Sequence, residues 1–124
     1  MIQIGDKLIH TFTVEENHTA IALGSGNLPV LSTPYMIACM ENTAMTLLGK
    51  TLEQGMDSVG IQISTSHLKA SKIGETISYK ATITGVDGRK ISFSVVAENQ
   101  AGEKIGKSTH DRFIIDPEQF MKNI

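Results

Sequence analysis

The sequence predicts an α+β fold in which a curved antiparallel sheet wraps around one long central helix. Two patterns predict this fold. One long and largely apolar segment, between Ser32 and Gly55, carries the residues that begin and end a helix. The segments after it alternate apolar and polar residues with the period of two that is typical of strands. A sheet rolled around the helix is the simplest way to bury that helix against such strands.

The composition indicates a single folded domain that spans residues 1–124. Of the 124 residues, 40% are hydrophobic and 19% are charged, and a chain of this length has no room for a second independent core. The formal net charge of -2 gives no basic field that would attract nucleic acid or an anionic membrane. No segment approaches the ~18 consecutive apolar residues of a membrane helix. We therefore expect neither nucleic acid nor a membrane as a partner.

The cysteine usage and the N-terminal segment favour a cytoplasmic location. Cys39 is the only cysteine, so the chain cannot form an internal disulfide, in keeping with a reducing compartment. The first twelve residues include Asp6, Lys7 and His10, and they therefore lack the apolar region of a signal peptide. We expect a cytoplasmic protein.

The first elements are a strand and the central helix. Lys7–Val14 is predicted as the first strand, and the segment from there to Leu31 has no clear pattern. Thr33 is expected to cap the helix, with Pro34 as its first helical residue and Gly55 as its stop. The apolar residues of the helix occupy more than one stripe, which is typical of a helix that is enclosed on most sides.

Four strands are predicted after the helix. Ser58–Ala70 is the first of them, and an Asp87-Gly88 dipeptide, which favours a two-residue hairpin, joins the second to the third, Ile91–Ala97. A further hairpin near Asn99–Gly102 leads into Lys104–Ile115. This order of one helix among antiparallel strands predicts the hot-dog fold. Its open sheet edges predict a homodimer or a larger even-numbered oligomer.

Glu41 is a candidate catalytic residue because it interrupts an apolar stripe of the helix. Residues that are four apart on a helix share a face, so Ile37 and Met45 flank Glu41. A carboxylate among apolar side chains is partly desolvated, and such groups often mark functional sites. An exposed end of the stripe, or a structural hydrogen bond, would also explain this residue.

His67 and Thr33 are the other candidates for the site. An inward-facing histidine is either a hydrogen-bonded core residue or an acid–base group. Thr33 lies at a helix N-terminus, where free backbone N–H groups favour a developing oxyanion, so it is either a site hydroxyl or a plain N-cap. The alternation of the strand puts Gly60 on one face and His67 on the other, together with Val59, Ile61, Ile63 and Thr65.

The remaining polar residues give weaker evidence of a site. Cys39 has no activating partner and is expected to be a buried, inert thiol. Gly24-Ser25-Gly26 lacks the setting of a dinucleotide-binding loop, and the histidines lack metal-ligand spacing, so we expect no cofactor and no metal. The basic residues of the second half are expected at strand ends or on solvent faces: Lys69, Lys72, Arg89, Lys90, Lys104, Lys107 and Arg112.

Together, several of these motifs resemble the fluoroacetyl-CoA thioesterase-like branch of the hot-dog thioesterases. The resemblance covers nearly the whole chain and rests on Ser32-Thr33-Pro34, Glu41, Val59-Gly60-Ile61 running to His67, and Gly106-Lys107-Ser108-Thr109-His110-Asp111-Arg112-Phe113. It implies catalytic roles for Thr33, Glu41 and His67. By the same resemblance, Gly60 and Arg112 would contact the thioester substrate.

The function that the resemblance implies is hydrolysis of a short-chain acyl-CoA thioester. Glu41 would either attack the carbonyl or activate a water molecule, and the sequence leaves both roles open. The resemblance also implies a phenylalanine-bearing lid that favours the fluorinated acyl group, whereas this chain has no Phe, Tyr or Trp between Glu15 and Leu31, so we expect less selectivity than a dedicated fluoroacetyl-CoA enzyme needs. The alternative is a hot-dog module that binds acyl-CoA without turnover, as a sensor or carrier.

Overall fold

One antiparallel sheet and one long helix form the body of the protein. The computed structural model describes residues 1–124. The strands follow the order β1-β3-β4-β5-β2 in the sheet, and every neighbouring pair is antiparallel. The predicted sheet around a central helix is confirmed. The elements are β1 (Lys7–Thr13), a 3₁₀ turn (Glu16–His18), α1 (Ala20–Leu23), α2 (Thr33–Gly49), β2 (Asp57–His67), β3 (Thr76–Asp87), β4 (Lys90–Glu98), β5 (Lys104–Ile115) and α3 (Pro117–Lys122).

The core lies between one face of α2 and the inner face of the sheet. The buried residues of α2 are spaced three and four apart, which places them on one side of the helix. They pack against the alternate residues of β3 and β4, including Tyr79 and Phe93, which are each 1% exposed. Met45, on another side of α2, is 39% exposed. After its first turn α2 exposes only one narrow stripe, formed by Ala38, Asn42, Met45 and Gly49, and its other residues are buried or half-buried, so the prediction that the helix is enclosed on most sides is confirmed.

The central helix begins one residue earlier than predicted. Ser32 has an extended backbone, and its Oγ accepts a hydrogen bond from the backbone N–H of Tyr35 at 3.1 Å, so Ser32 is the N-cap. Thr33 is the first helical residue, and its predicted capping role is wrong. The helix ends at Gly49, while Gly55 lies in the turn before β2 with a φ of 86°. Because Ser32 supplies the cap, the hydroxyl of Thr33 is free to bond elsewhere.

A bulge in β2 changes which residues face the core. The register with β5 shifts between Gly60 and Gln62, so Ile61 is an extra residue and is 51% exposed. Residues directly opposite each other on antiparallel strands share a face, and Gly60 is opposite the buried Arg112. The prediction that Gly60 lies on the outer face, with Val59 and Ile61 inside, is therefore wrong. The inner residues of β2 are Ser58 and Gly60 before the bulge, and Ile63, Thr65 and His67 after it.

The remaining elements differ from the prediction by a few residues. β1 ends at Thr13, and β2 runs from Asp57 to His67, three residues short of the predicted end. In the β3–β4 hairpin Asp87 pairs with Lys90, so the two turn residues are Gly88 and Arg89. Gly88 has a φ of 61°, which favours glycine there. The structure agrees with the prediction for β5.

We predict that Gly106→Ala destabilises the protein, because a Cβ at this position would lie 2.6 Å from Sδ of the fully buried Met36. Overpacking of this kind costs about 1–3 kcal/mol of unfolding free energy. Gly49→Ala is the matched control, since its Cβ would meet nothing within 4 Å at the end of α2. That control should be neutral or more stable by up to ~1 kcal/mol. Urea unfolding measures both, and equal stabilities of the two variants would contradict the packing described here.

Candidate active site

Thr33 and His67 form a hydrogen-bonded pair where the start of α2 meets the end of β2. Thr33 Oγ1 lies 2.7 Å from Nδ1 of His67. The other ring nitrogen, Nε2, is buried and has no hydrogen-bond partner. Burial lowers the pKa of His67, with a smaller opposing effect from the backbone of Lys69, so the imidazole is neutral at neutral pH. A neutral imidazole beside a hydroxyl is an arrangement that can accept and return a proton.

Gly60 lies at the centre of a second cluster, which also contains Glu41, His110 and Arg112. A Cβ at position 60 would lie 3.0 Å from Oε2 of Glu41, 3.1 Å from Cε1 of His110 and 3.4 Å from Nη1 of Arg112. The space that a side chain would occupy is thus bordered by a carboxylate, an imidazole and a guanidinium group. A side chain at position 60 would crowd all three groups, and glycine lets them approach the strand closely.

Arg112 is held inside the protein by neutral hydrogen-bond acceptors. Its Nε donates to Oγ of Ser58 at 2.8 Å, and its Nη2 donates to the carbonyl of Ser58 at 3.0 Å. Burial lowers the pKa of Arg112, and the nearby carboxylates of Glu41 and Asp57 oppose this effect. The side chain is only 6% exposed, so the prediction that Arg112 lies at a strand end or on a solvent face is wrong. It points inward because it pairs with the buried Ile91 of β4, and opposite residues of a sheet share a face.

His110 completes the second cluster, and the sequence analysis missed it. It is 1% exposed and its Nδ1 lies 2.8 Å from the carbonyl oxygen of Gln62, which fixes Nδ1 as the protonated nitrogen. Nε2 then accepts a hydrogen bond from Nη1 of Arg112 at 3.2 Å. Burial is the main cause that lowers the pKa of His110, and the charge of Arg112 lowers it further. The alternation of β5 would have found it, because His110 and Arg112 are two residues apart on one face.

The two clusters are separate within one chain. The eight residues from Thr33 to Glu41 span about 12 Å of helix. The seven residues from Gly60 to His67 span roughly 20 Å of strand. The structure therefore brings Thr33 to His67, and Glu41 to Gly60 and Arg112, but it does not bring these two groups together in a single chain.

Cys39 and His10 lie outside the two clusters and contact other side chains. Cys39 is buried, and burial raises the pKa of its thiol to about 11. Hydrogen bonds with Tyr79 and Tyr35 lower the pKa, but by less than burial raises it. Nδ1 of His10 lies 3.1 Å from the side-chain oxygen of Asn42. No group of three or more His, Cys, Asp and Glu side chains is arranged to hold a metal ion. None of the helices has the length and apolar character needed to cross a membrane.

Comparison with known proteins identifies the family. The model of the FlK family, fluoroacetyl-CoA-specific thioesterase, matches residues 14–118. The chain belongs to this family. The chain is also 30% identical to the fluoroacetyl-CoA thioesterase of Streptantibioticus cattleyicolor, over 96% of its own length and 89% of that relative. The family resemblance inferred from the sequence motifs is thus confirmed.

Solved structures agree with the family assignment. A structure of the fluoroacetyl-CoA thioesterase FlK superposes with a TM-score of 0.92 at 29% identity, covering 99% of this chain and 95% of the other. A hot-dog-like protein from Thermanaerovibrio acidaminovorans has a TM-score of 0.88 at 19% identity, with 97% and 88% coverage. The hot-dog fold is confirmed. As an FlK-family member the protein is a thioester hydrolase that acts on acyl-CoA thioesters.

Proposed function

We propose that this thioesterase hydrolyses short-chain acyl-CoA thioesters with Thr33, Glu41 and His67 as catalytic residues and with Gly60 and Arg112 holding the substrate. The observation that supports this best is the close approach of Glu41 to Gly60, whose missing Cβ would lie 3.0 Å from the carboxylate. Because position 60 carries no side chain, an acyl carbonyl that approaches over the Gly60 backbone would meet the carboxylate of Glu41. Structures of the FlK enzyme in complex with acetyl-CoA, and with fluoroacetate and CoA, support an acyl-CoA ligand.

The residues of the two clusters suit the steps of the reaction. Hydrolysis adds water across the C–S bond: the carbonyl carbon gains an oxygen, the C–S bond breaks, and the sulfur of CoA leaves with a proton. Glu41 either attacks the carbonyl to give an anhydride or activates the water. The neutral His67 accepts a proton and returns it to the leaving sulfur, with Thr33 orienting the ring. Arg112 uses three of its N–H donors on Ser58 and His110, which leaves two for the substrate.

We predict that a panel of acetyl-, propionyl- and butyryl-CoA releases free thiol in the presence of the protein. Glu41→Gln should lower kcat/KM at least ~10²-fold, because the amide keeps the shape of the side chain but is neither nucleophile nor base. Glu53→Gln, an exposed carboxylate in the turn after α2, is the control and should retain activity.

The outcome of the panel also separates an enzyme from a binding module. A ligand-induced melting shift without thiol release would show that the protein binds acyl-CoA and does not hydrolyse it. Normal turnover in folded Glu41→Gln would remove Glu41 from the catalytic centre.

We also propose that the active site is completed by a second copy of the chain in a homodimer, or in a larger even-numbered oligomer built from it. β2 is an edge strand of eleven residues, so its outer backbone groups have no partner strand in one chain. If β2 pairs with its own copy about an axis at Ser64, and Ile61 bulges there as it does against β5, Gly60 lies opposite the partner's His67. Both residues then face the inner side of one continuous sheet, and the two clusters meet.

We predict that a mixed dimer of Glu41→Gln and His67→Ala subunits is active, although each homodimer is nearly inactive. Such a dimer has one site with both lesions and one intact site, so it should show about half of the wild-type activity if sites are shared. Differently tagged subunits, co-expressed and purified through both tags, give the sample. If each site lies within one chain, every site carries a lesion and the mixed dimer stays inactive.

The acyl preference depends on the turn from Gly24 to Pro29. Val30 and Leu31, which follow this turn, line a surface depression together with Thr33 and His67. The turn therefore lies close to the Thr33–His67 pair. It contains no aromatic side chain, and Leu28 is 65% exposed. We propose that the site accepts several short acyl groups. We also propose that the protein is cytoplasmic.

We predict a selectivity for fluoroacetyl-CoA over acetyl-CoA below ~10⁴-fold in kcat/KM, because apolar pockets discriminate single small groups by only about 1–3 kcal/mol. Propionyl- and butyryl-CoA should be hydrolysed at comparable rates. Side-by-side measurement of kcat/KM for the four thioesters tests this. A larger preference for fluoroacetyl-CoA would place selectivity in Thr33, Glu41 and His67 themselves.

A further inference from the structure

The feature that suggests a further functional residue is a missing ion pair. Oε2 of Glu41 and Nη1 of Arg112 are both within 3.5 Å of the same point, the Cβ that Gly60 lacks. Nevertheless these two charged groups form no ion pair within 4.0 Å. The ion pairs of the structure are Lys69–Glu103 and Glu118–Lys122. Something therefore keeps a buried guanidinium apart from the nearest carboxylate.

His110 occupies the position that can do this. Its Nε2 accepts from the Nη1 of Arg112 at 3.2 Å, the same nitrogen that lies nearest to the space beside Gly60. Its Nδ1 donates to the carbonyl of Gln62 in the bulge, which fixes the ring and leaves Nε2 as an acceptor only. Phe93 packs against the ring with a centroid distance of 6.1 Å. Gln62 and Phe93 therefore hold the ring in place.

We propose that His110 is a positioning residue that draws the guanidinium of Arg112 away from Glu41 and so keeps the carboxylate free to react. This inference rests on the proposed function, in which Glu41 is the nucleophile or base. A carboxylate paired with arginine is a poorer nucleophile, because the guanidinium stabilises its charge. Ser58 holds Nε and Nη2, but it does not hold Nη1. Without His110 the freed Nη1 is buried, and Glu41 is the nearest acceptor of opposite charge.

The test is a double-mutant cycle on His110 and Arg112, measured with the thioester that the wild type hydrolyses fastest. His110→Phe removes both ring nitrogens, and we expect it to lower kcat/KM about 10- to 100-fold, mainly in kcat, as small displacements in a site do. In an Arg112→Met background, the same change should lower kcat/KM by no more than about twofold, since no cation is left to reach Glu41. Losses that multiply in the double variant would overturn the proposal.

Two conservative variants keep the test informative if His110→Phe does not fold. The amide of His110→Gln reaches the position of Nε2 and should restore most of the activity, whereas the shorter His110→Asn reaches only the Gln62 carbonyl and should not. A purely structural role would instead rank these variants by melting temperature and leave the kcat-to-KM pattern unchanged. Equal activities of the Gln and Asn variants would overturn the proposal.

A crystal structure separates this inference from the proposed function. In His110→Phe or His110→Asn, Nη1 of Arg112 should lie within 4.0 Å of a carboxylate oxygen of Glu41. If the wild type hydrolyses no thioester of the panel, the proposed function fails while this movement of Arg112 is still observed. If Arg112 stays in place, the positioning role of His110 is wrong even in an active enzyme.

Discussion

Ile61 adds one residue to β2 that β5 does not match, and the second cluster exists only because of this mismatch. Side chains alternate between the faces of a strand, so one extra residue exchanges inside and outside from that point on. Upstream of the bulge the exchange brings Gly60 to the inner face, opposite Arg112. Downstream it keeps His67 on the same face, where it meets Thr33. An unbulged strand would present only one of these residues to the helix.

The buried guanidinium is the costliest component of this arrangement. Transferring such a cation from water into a protein costs several kcal/mol even after relaxation. Arg112 is not neutralised by an ion pair, and three of its five N–H donors are instead bound by Ser58 and His110. Hydrogen bonds to charged groups are worth about 1.5–3 kcal/mol each, so these acceptors offset much of the desolvation cost. The guanidinium of Arg112 is therefore held by hydrogen bonds inside the protein and still has two free N–H donors.

Much of the fold could be predicted from local patterns, and the inner arrangement of the site could not. Pro34 and the apolar spacing after it locate α2, and the Asp87-Gly88 dipeptide locates the β3–β4 hairpin. Two adjacent hydroxyl residues can both cap a helix, so sequence alone could not assign the cap to Ser32 and leave Thr33 free. A bulge is defined by the partner strand, so alternation within β2 could not show that Gly60 faces inward. Arg112 faces inward because it pairs with the buried Ile91 of β4, and a pairing between strands cannot be read from β5 alone.

The bulge also limits how the chain can change in length. Adding or removing one residue between Gly60 and His67 would turn one of them away from the helix, and only paired changes would keep both inside. The turn from Gly24 to Pro29 can change by any number of residues without turning a side chain to the other face of the sheet, because it lies outside the strands. Insertions and deletions should thus be concentrated in that turn during evolution. The acyl preference can then diverge among relatives while the spacing of the chemical groups on β2 remains constant.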